Sequence, residues 1–348
     1  MTKIVFAIPG DIELPTGGYA YDRRVLALLS QQGFAVTHLM LPDSYPAPMA
    51  SDLMRTSELV QRTPTDCVLL IDGLAYGAMP DNVVSGFERR IVALVHHPLC
   101  LETGLSEQRE QQLRISEQRA LAHASAVICT SKATQRVLGE QFGVLPERLH
   151  VAEPGTDPAP RARGTRVPLN FLAVGSVIPR KGYDLLIDAL QPYRGRLWTL
   201  TIAGADDLDV VYSAAIKNRI IEAGLSSQVQ MSGPVPPADL ADLYDRADVF
   251  VMPSRYEGYG MVMTEALARG LAVICTTGVA AAGTIAAAAV FKIETGNVQS
   301  LTTAIGKALD DDGWRQNLAD AAWAAARNLP TWNDTATRIA DVLRRVAL

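Results

Sequence analysis

A chain of 348 residues is too long for one comfortable core and fits two domains of ordinary size. At 48% hydrophobic and 20% charged it is no disordered chain, and its formal net charge of -5 gives no general attraction to nucleic acid or anionic lipid. Four scattered cysteines, Cys67, Cys100, Cys129 and Cys275, form neither a disulfide framework nor a zinc spacing and read as reduced core thiols.

Lys3 to Ile8 reads as a short strand running into Pro9-Gly10, not as a basic-plus-apolar leader, and no apolar run reaches the length of a membrane span. A cytoplasmic protein is therefore expected. Strand and helix alternate through the first half: strand Ile4 to Ala7, helix Tyr21 to Gln31, strands Ala35 to Leu41, Cys67 to Asp72 and Ile91 to Val95, a long helix near Ser106 to Ala122, and strand Ala126 to Thr130. The link 159–168 is rich in Pro, Gly and charge and reads as a domain boundary. Strands Phe171 to Val174, Thr199 to Ala203, Val229 to Met231, Asp248 to Met252 and Ala272 to Cys275 follow, with helices between them. A Pro-started helix runs from Leu329-Pro-Thr-Trp332 to Arg345. This alternation predicts an α/β chain with parallel sheets covered on both faces.

The densest chemistry lies in 254–270, where Glu257 and Glu265 stand around a glycine-containing turn between strand Asp248 to Met252 and a helix Val262 to Arg269. Ligands bind at the carboxyl edge of an open α/β sheet, and the N–H groups of Gly258, Tyr259, Gly260 and Met261 open a helix N-terminus there. An ionised Glu only accepts hydrogen bonds and so suits the hydroxyls of a ribose or hexose, while amides and cations suit a diphosphate. The cations come at the matching edge of another strand: Gly175 and Ser176 begin a loop that carries Arg180 and Lys181. No Asp-x-Asp cluster marks a divalent-metal site, and Asp206-Asp207 and 310–312 read as loop and helix-end solvation.

Glu257-x7-Glu265 with Glu-Gly-Tyr-Gly, the Pro179-Arg-Lys-Gly182 loop, the Pro154-Gly-Thr-Asp157 element and Gly17-Gly18 occur in an order that resembles the retaining glycosyltransferases of family 4 over nearly the whole chain. That resemblance implies the GT-B fold, two Rossmann-like parallel-sheet domains facing a central cleft. It implies an N-terminal acceptor-side domain over 1–160, a C-terminal donor-side domain over 167–329, and a last helix within 330–348 crossing back onto the first domain. It further implies a nucleotide-sugar donor held by Gly17, Gly18, Gly175, Ser176, Val235, Gly258, Tyr259, Gly260, Met261 and Glu265. Glu257, Lys181, Arg180 and His97 would serve catalysis, and Tyr21 and Glu102 the acceptor. Retention, a UDP or GDP donor, and a front-face reaction needing neither metal nor cofactor follow from the resemblance alone.

Adjacent His96 and His97 follow a strand and point in different directions, and His97 is favoured as the ligand contact. The segment 101–119 mixes Glu with Arg, favouring a soluble glycan or small-molecule acceptor over a lipid. The sequence departs from the family pattern at Ser176, where many members have Arg, and in the alanine-rich stretch 279–289, where an acidic segment is common. A nucleotide-sugar epimerase on the same architecture and a non-catalytic nucleotide-sugar-binding protein are the competing readings. An NAD-dependent oxidoreductase is disfavoured because no dinucleotide fingerprint follows the first strand.

Overall fold

The computed structural model describes residues 2–165 and 167–348, so Arg166 of the 159–168 link and Met1 lie outside the described residues. Two compact units are present, Met1–Gly155 with Pro330–Leu348, and Thr156–Leu329.

In the first unit, β1 (Thr2–Pro9), β2 (Phe34–Leu41), β3 (Val68–Asp72), β4 (Arg90–Val95), β5 (Ala126–Cys129) and β6 (Leu149–Val151) form one sheet in the order β2-β1-β3-β4-β5-β6. Every pairing is parallel. The central strands are near-continuous apolar runs because both faces are covered: Ile4, Phe6, Leu69, Leu70, Val92 and Leu94 are all fully buried. Burial of each such side chain contributes about 1.5–3 kcal/mol. The helix Trp332–Ala347 belongs to this unit, with Ala336, Ile339, Ala340 and Leu343 buried.

The second unit repeats the plan with β7 (Leu169–Val174), β8 (Trp198–Ala203), β9 (Val229–Gly233), β10 (Val249–Met252), β11 (Ala272–Thr276) and β12 (Phe291–Ile293), ordered β12-β11-β10-β7-β8-β9 and again parallel. Strand order reverses between β1 and β3 in one sheet and between β7 and β10 in the other. Loops leaving these neighbours diverge to opposite faces, which opens a crevice at the carboxyl edge.

Several boundaries differ from those read from sequence. The first helix is Gly17–Leu29 and starts four residues before Tyr21, because the Thr16 hydroxyl accepts the Tyr19 N–H at 3.3 Å and caps it. The Gly17-Gly18 pair is thus helical, not a loop. The helix near Glu265 is Met261–Ala268, with Arg269 as its cap. The three-residue edge strands β6 and β12 are too short to show a period and were not expected from the sequence.

Candidate active site

At the β7/β10 reversal, two loops are stitched together. Arg255 N donates to Arg180 O at 2.8 Å, Arg180 Nη1 donates to Tyr256 O at 2.9 Å, and Arg255 Nη1 donates to Pro179 O at 2.7 Å. Arg255 also grips Asp184 with both guanidinium ends at 2.9 and 2.6 Å. Pro179–Lys181 forms a single 3-10 turn, which puts Arg180 and Lys181 side by side facing the β10 loop.

Between these loops sits Glu257. Lys181 Nζ lies 2.7 Å from its Oε1 and Arg180 Nη1 lies 3.1 Å from its Oε2, all three side chains being largely buried. Burial pushes the Glu257 carboxyl up, but the adjacent Lys181 and Arg180 charges outweigh it and hold the group down at about 2. Glu257 is thus ionised at neutral pH, and two cations against one carboxylate leave the cluster with a net positive charge. The sequence had separated Glu257, on sugar, from Arg180 and Lys181, on phosphate. The folded chain joins them in one group.

Glycines shape this group. A Cβ on Gly175, at φ 144°, would fall 2.9 Å from Lys181 Cε, so the bare Cα makes room for the lysine. Ser176 follows Gly175, half-buried. Gly260, at φ 105°, caps helix Met261–Ala268, and a Cβ there would fall 2.7 Å from Val279 Cγ1. The alanine-rich stretch buttresses the same turn through its backbone: Glu257 N donates to Gly278 O at 2.9 Å and Ala281 N to Tyr259 O at 2.9 Å. Gly258 and Tyr259 lie in this turn with Met261 one residue beyond Gly260.

One turn into that helix, Glu265 Oε2 accepts the Tyr244 hydroxyl at 3.0 Å. Burial raises its pKa against that bond and the Arg269 charge. Val235 is half-buried just beyond β9.

In the first unit, the residues expected to touch ligand have varied surroundings. Tyr21 is 1% exposed, donates its hydroxyl to Ala152 O at 2.9 Å and packs edge-on to Trp332, so it is a core residue and not an acceptor contact. It lies with Val25 and Leu29 on the buried face of the helix Gly17–Leu29. His97 Nε2 lies 3.4 Å from Glu102 Oε2, both partly exposed. Gly17 is open, whereas a Cβ on Gly18 would sit 3.4 Å from the His96 ring.

Sequence reasoning passed over His96 and missed its partners. His96 Nε2 lies 3.1 Å from Asp22 Oδ1 and 3.2 Å from Asp72 Oδ2, on the elements that follow or end β1, β3 and β4. Burial drives Asp22 up, the His96 hydrogen bond and charge overcome burial to bring Asp72 down, and the two carboxylates overcome it to raise His96. The available signal was positional: Asp72 and His96 stand at the carboxyl edges of adjacent strands, and Asp22 lies on the helix that follows the strand beside them.

Two family descriptions match: Glycosyltransferase Family 4 over residues 35–160 and Glycosyl transferases group 1 over residues 167–324. Mannosylfructose-phosphate synthase of Agrobacterium fabrum is 33% identical over 168 residues, covering 43% of this chain and 37% of that protein. D-inositol 3-phosphate glycosyltransferase of Xylanimonas cellulosilytica is 30% identical over 249 residues, covering 66% of this chain and 58% of that protein. The matched region thus spans less than two thirds of each of these relatives. Among solved structures, sucrose-phosphate synthase from Thermosynechococcus elongatus superposes with a TM-score of 0.83 at 19% identity, covering 99% of each chain. Anabaena HepE, solved in complex with UDP-glucose, gives 0.79 at 19% identity, covering 99% of this chain and 100% of that one. The fold is GT-B, and with one family description on each half, the chain belongs to glycosyltransferase family 4, group 1.

Proposed function

We propose that the chain is a retaining glycosyltransferase that moves a hexose from a UDP- or GDP-linked donor to an acceptor hydroxyl, with no metal at the diphosphate and no cofactor. The observation that carries this reading is the Arg180–Glu257–Lys181 group at the β7/β10 reversal, a net-positive, preorganised patch beside a helix N-terminus.

In this reading Arg180 and Lys181 take the diphosphate, and Glu257 with the 258–261 backbone takes the sugar hydroxyls. Glu265 takes the ribose, and Ser176 and Val235 stand near the phosphate and base. Within the first unit, His97 and Glu102 serve the acceptor. The acceptor oxygen attacks from the face that the phosphate leaves, the anomeric carbon–phosphate oxygen bond breaks, and the acceptor proton passes to the departing phosphate. The protein's task is to stabilise the negative charge that builds on that phosphate, and fixed cations in a largely buried setting serve it.

A small soluble acceptor is favoured. One relative is named for a mannosylfructose phosphate and another for D-inositol 3-phosphate. The helix Glu107–His123 also carries mixed charge, including a Glu110–Arg114 pair at 3.0 Å, rather than a basic face. The four cysteines are buried free thiols, which suits the reducing cytoplasm.

Thermal shift against UDP, GDP, ADP and TDP and their sugar conjugates, first without metal and then with magnesium, tests the reading. Selective, metal-independent stabilisation that is lost in Glu265→Ala is expected. Folded protein that no nucleotide stabilises would sink it.

A further inference from the structure

We propose that Asp22, Asp72 and His96 form a binding site for a divalent transition-metal cation such as Zn2+ or Mn2+. The proposal goes beyond the transferase reading, because the site lies wholly in the first unit while the diphosphate charge is met by Arg180 and Lys181 in the second.

Three donor atoms, one from each residue, lie within 4.8 Å of one another. Asp22 is fully buried and Asp72 nearly so, while the His96 side chain is 21% exposed and leaves one open side. The Nε2 atom of His96 faces Asp22 Oδ1 at 3.1 Å and Asp72 Oδ2 at 3.2 Å. A single N–H cannot point at both oxygens, and both distances exceed the roughly 2.7–2.9 Å of a good charge-assisted bond. An ion about 2.0–2.2 Å from each atom would instead subtend about 100° between the nitrogen and either oxygen, between octahedral and tetrahedral angles.

Two further observations point the same way. Buried Asp22 Oδ2 finds no hydrogen-bond donor among the described residues. The surrounding groups also fix Asp72 and His96 as a ligand shell requires. Asp72 Oδ1 is occupied by the Leu74 N–H at 2.6 Å, which turns Oδ2 inward. The His96 ring stands edge-on to Tyr21 with centroids 5.2 Å apart, and its carbonyl accepts the Thr130 hydroxyl at 3.0 Å. One nitrogen and two carboxylate oxygens favour Zn2+ or Mn2+ over Mg2+, which prefers oxygen alone. With three protein donors, at least one position stays open to an outside oxygen ligand.

Chelator-treated full-length protein, titrated with Zn2+ and with Mn2+ by calorimetry, should bind one equivalent. Asp22→Asn and His96→Gln should each weaken binding by at least tenfold. Paramagnetic broadening by Mn2+ locates the ion without a variant, and amide signals of Gly18, Tyr21 and Leu74 should vanish first. No binding to folded protein would overturn the proposal and leave a shared proton between the carboxylates. Binding that is unchanged in both variants, or broadening centred elsewhere, would overturn it equally.

Discussion

Lys181 reaches Glu257 because Gly175 has no side chain: a Cβ at Gly175 would press within 2.9 Å of Lys181 Cε, whose ammonium sits 2.7 Å from Glu257 Oε1. Gly175→Ala should therefore displace the ammonium and strain a backbone at φ 144°. The expected result is weaker binding of the nucleotide-sugar donor, seen by calorimetry, together with a lower melting temperature. A variant that binds donor like the parent would show that the Lys181 position is not set by Gly175.

Lys181→Ala acts on charge with the glycine left in place. Loss of one preorganised group stabilising the departing phosphate is typically worth roughly 10²- to 10³-fold in kcat. Arg180 still pairs with Glu257, so the fold should survive, as circular dichroism would report. A fall of less than about tenfold in turnover would remove Lys181 from the chemistry.

The same ion pairs give the second unit a pH dependence. Glu257 titrates at about 2 when folded, below the ordinary 4.5, so the folded state binds fewer protons than the unfolded one in this window. Its contribution is complete above pH 4.5 and is lost as pH falls toward 2, on the order of 3 kcal/mol. Denaturant melts between pH 5 and 2 should show this slope, flattened in Glu257→Gln. An equal slope in that variant would assign the loss to other carboxylates.

How much of this was legible beforehand depended on distance along the chain. Glu257, Glu265, Arg180 and Lys181 could be placed because each follows an apolar strand, and strand ends in an α/β sheet converge. Their merging into one ion-pair group could not, since it depends on β7 and β10 being neighbours although their sequence is separated by β8 and β9. The Asp22–His96 pair, 74 residues apart, was hidden for the same reason. Tyr21 was misplaced for a local one: it shares the buried face of its helix with Val25 and Leu29, a pattern that places it in the core.

Glu117 should give the first unit an opposite pH response. It is 1% exposed, its Oε2 accepts the Leu99 N–H at 2.9 Å, and burial pushes its carboxyl from 4.5 up to about 8. The folded state therefore keeps a proton that the unfolded state releases, and stability falls as pH rises from about 4.5 to about 8. Glu117→Gln keeps an acceptor for Leu99 without the charge, so its melting temperature should decline less over that range than the parent's. Parallel curves for the two proteins would mean that Glu117 is ionised at little cost.

Gly155 fixes how the last helix docks on the first unit. A Cβ there would be driven into the Trp332 backbone nitrogen, so chain and helix touch main chain to main chain. Thr335 holds the same contact by donating its hydroxyl to Glu153 O at 2.7 Å, and the Trp332 ring lies edge-on to Tyr21 with Arg24 over its face at 5.6 Å. Gly155→Ala must push the helix N-terminus away, at a cost typical of overpacking, about 1–3 kcal/mol. Because Tyr21 also packs against His96, the disturbance should spread to the carboxyl edge of the first sheet. Hydrogen exchange should then quicken in Trp332–Ala347 and at Tyr21, with β7 to β12 unchanged. Exchange that stays at parent rates in the terminal helix would show that the contact yields without loosening its neighbours.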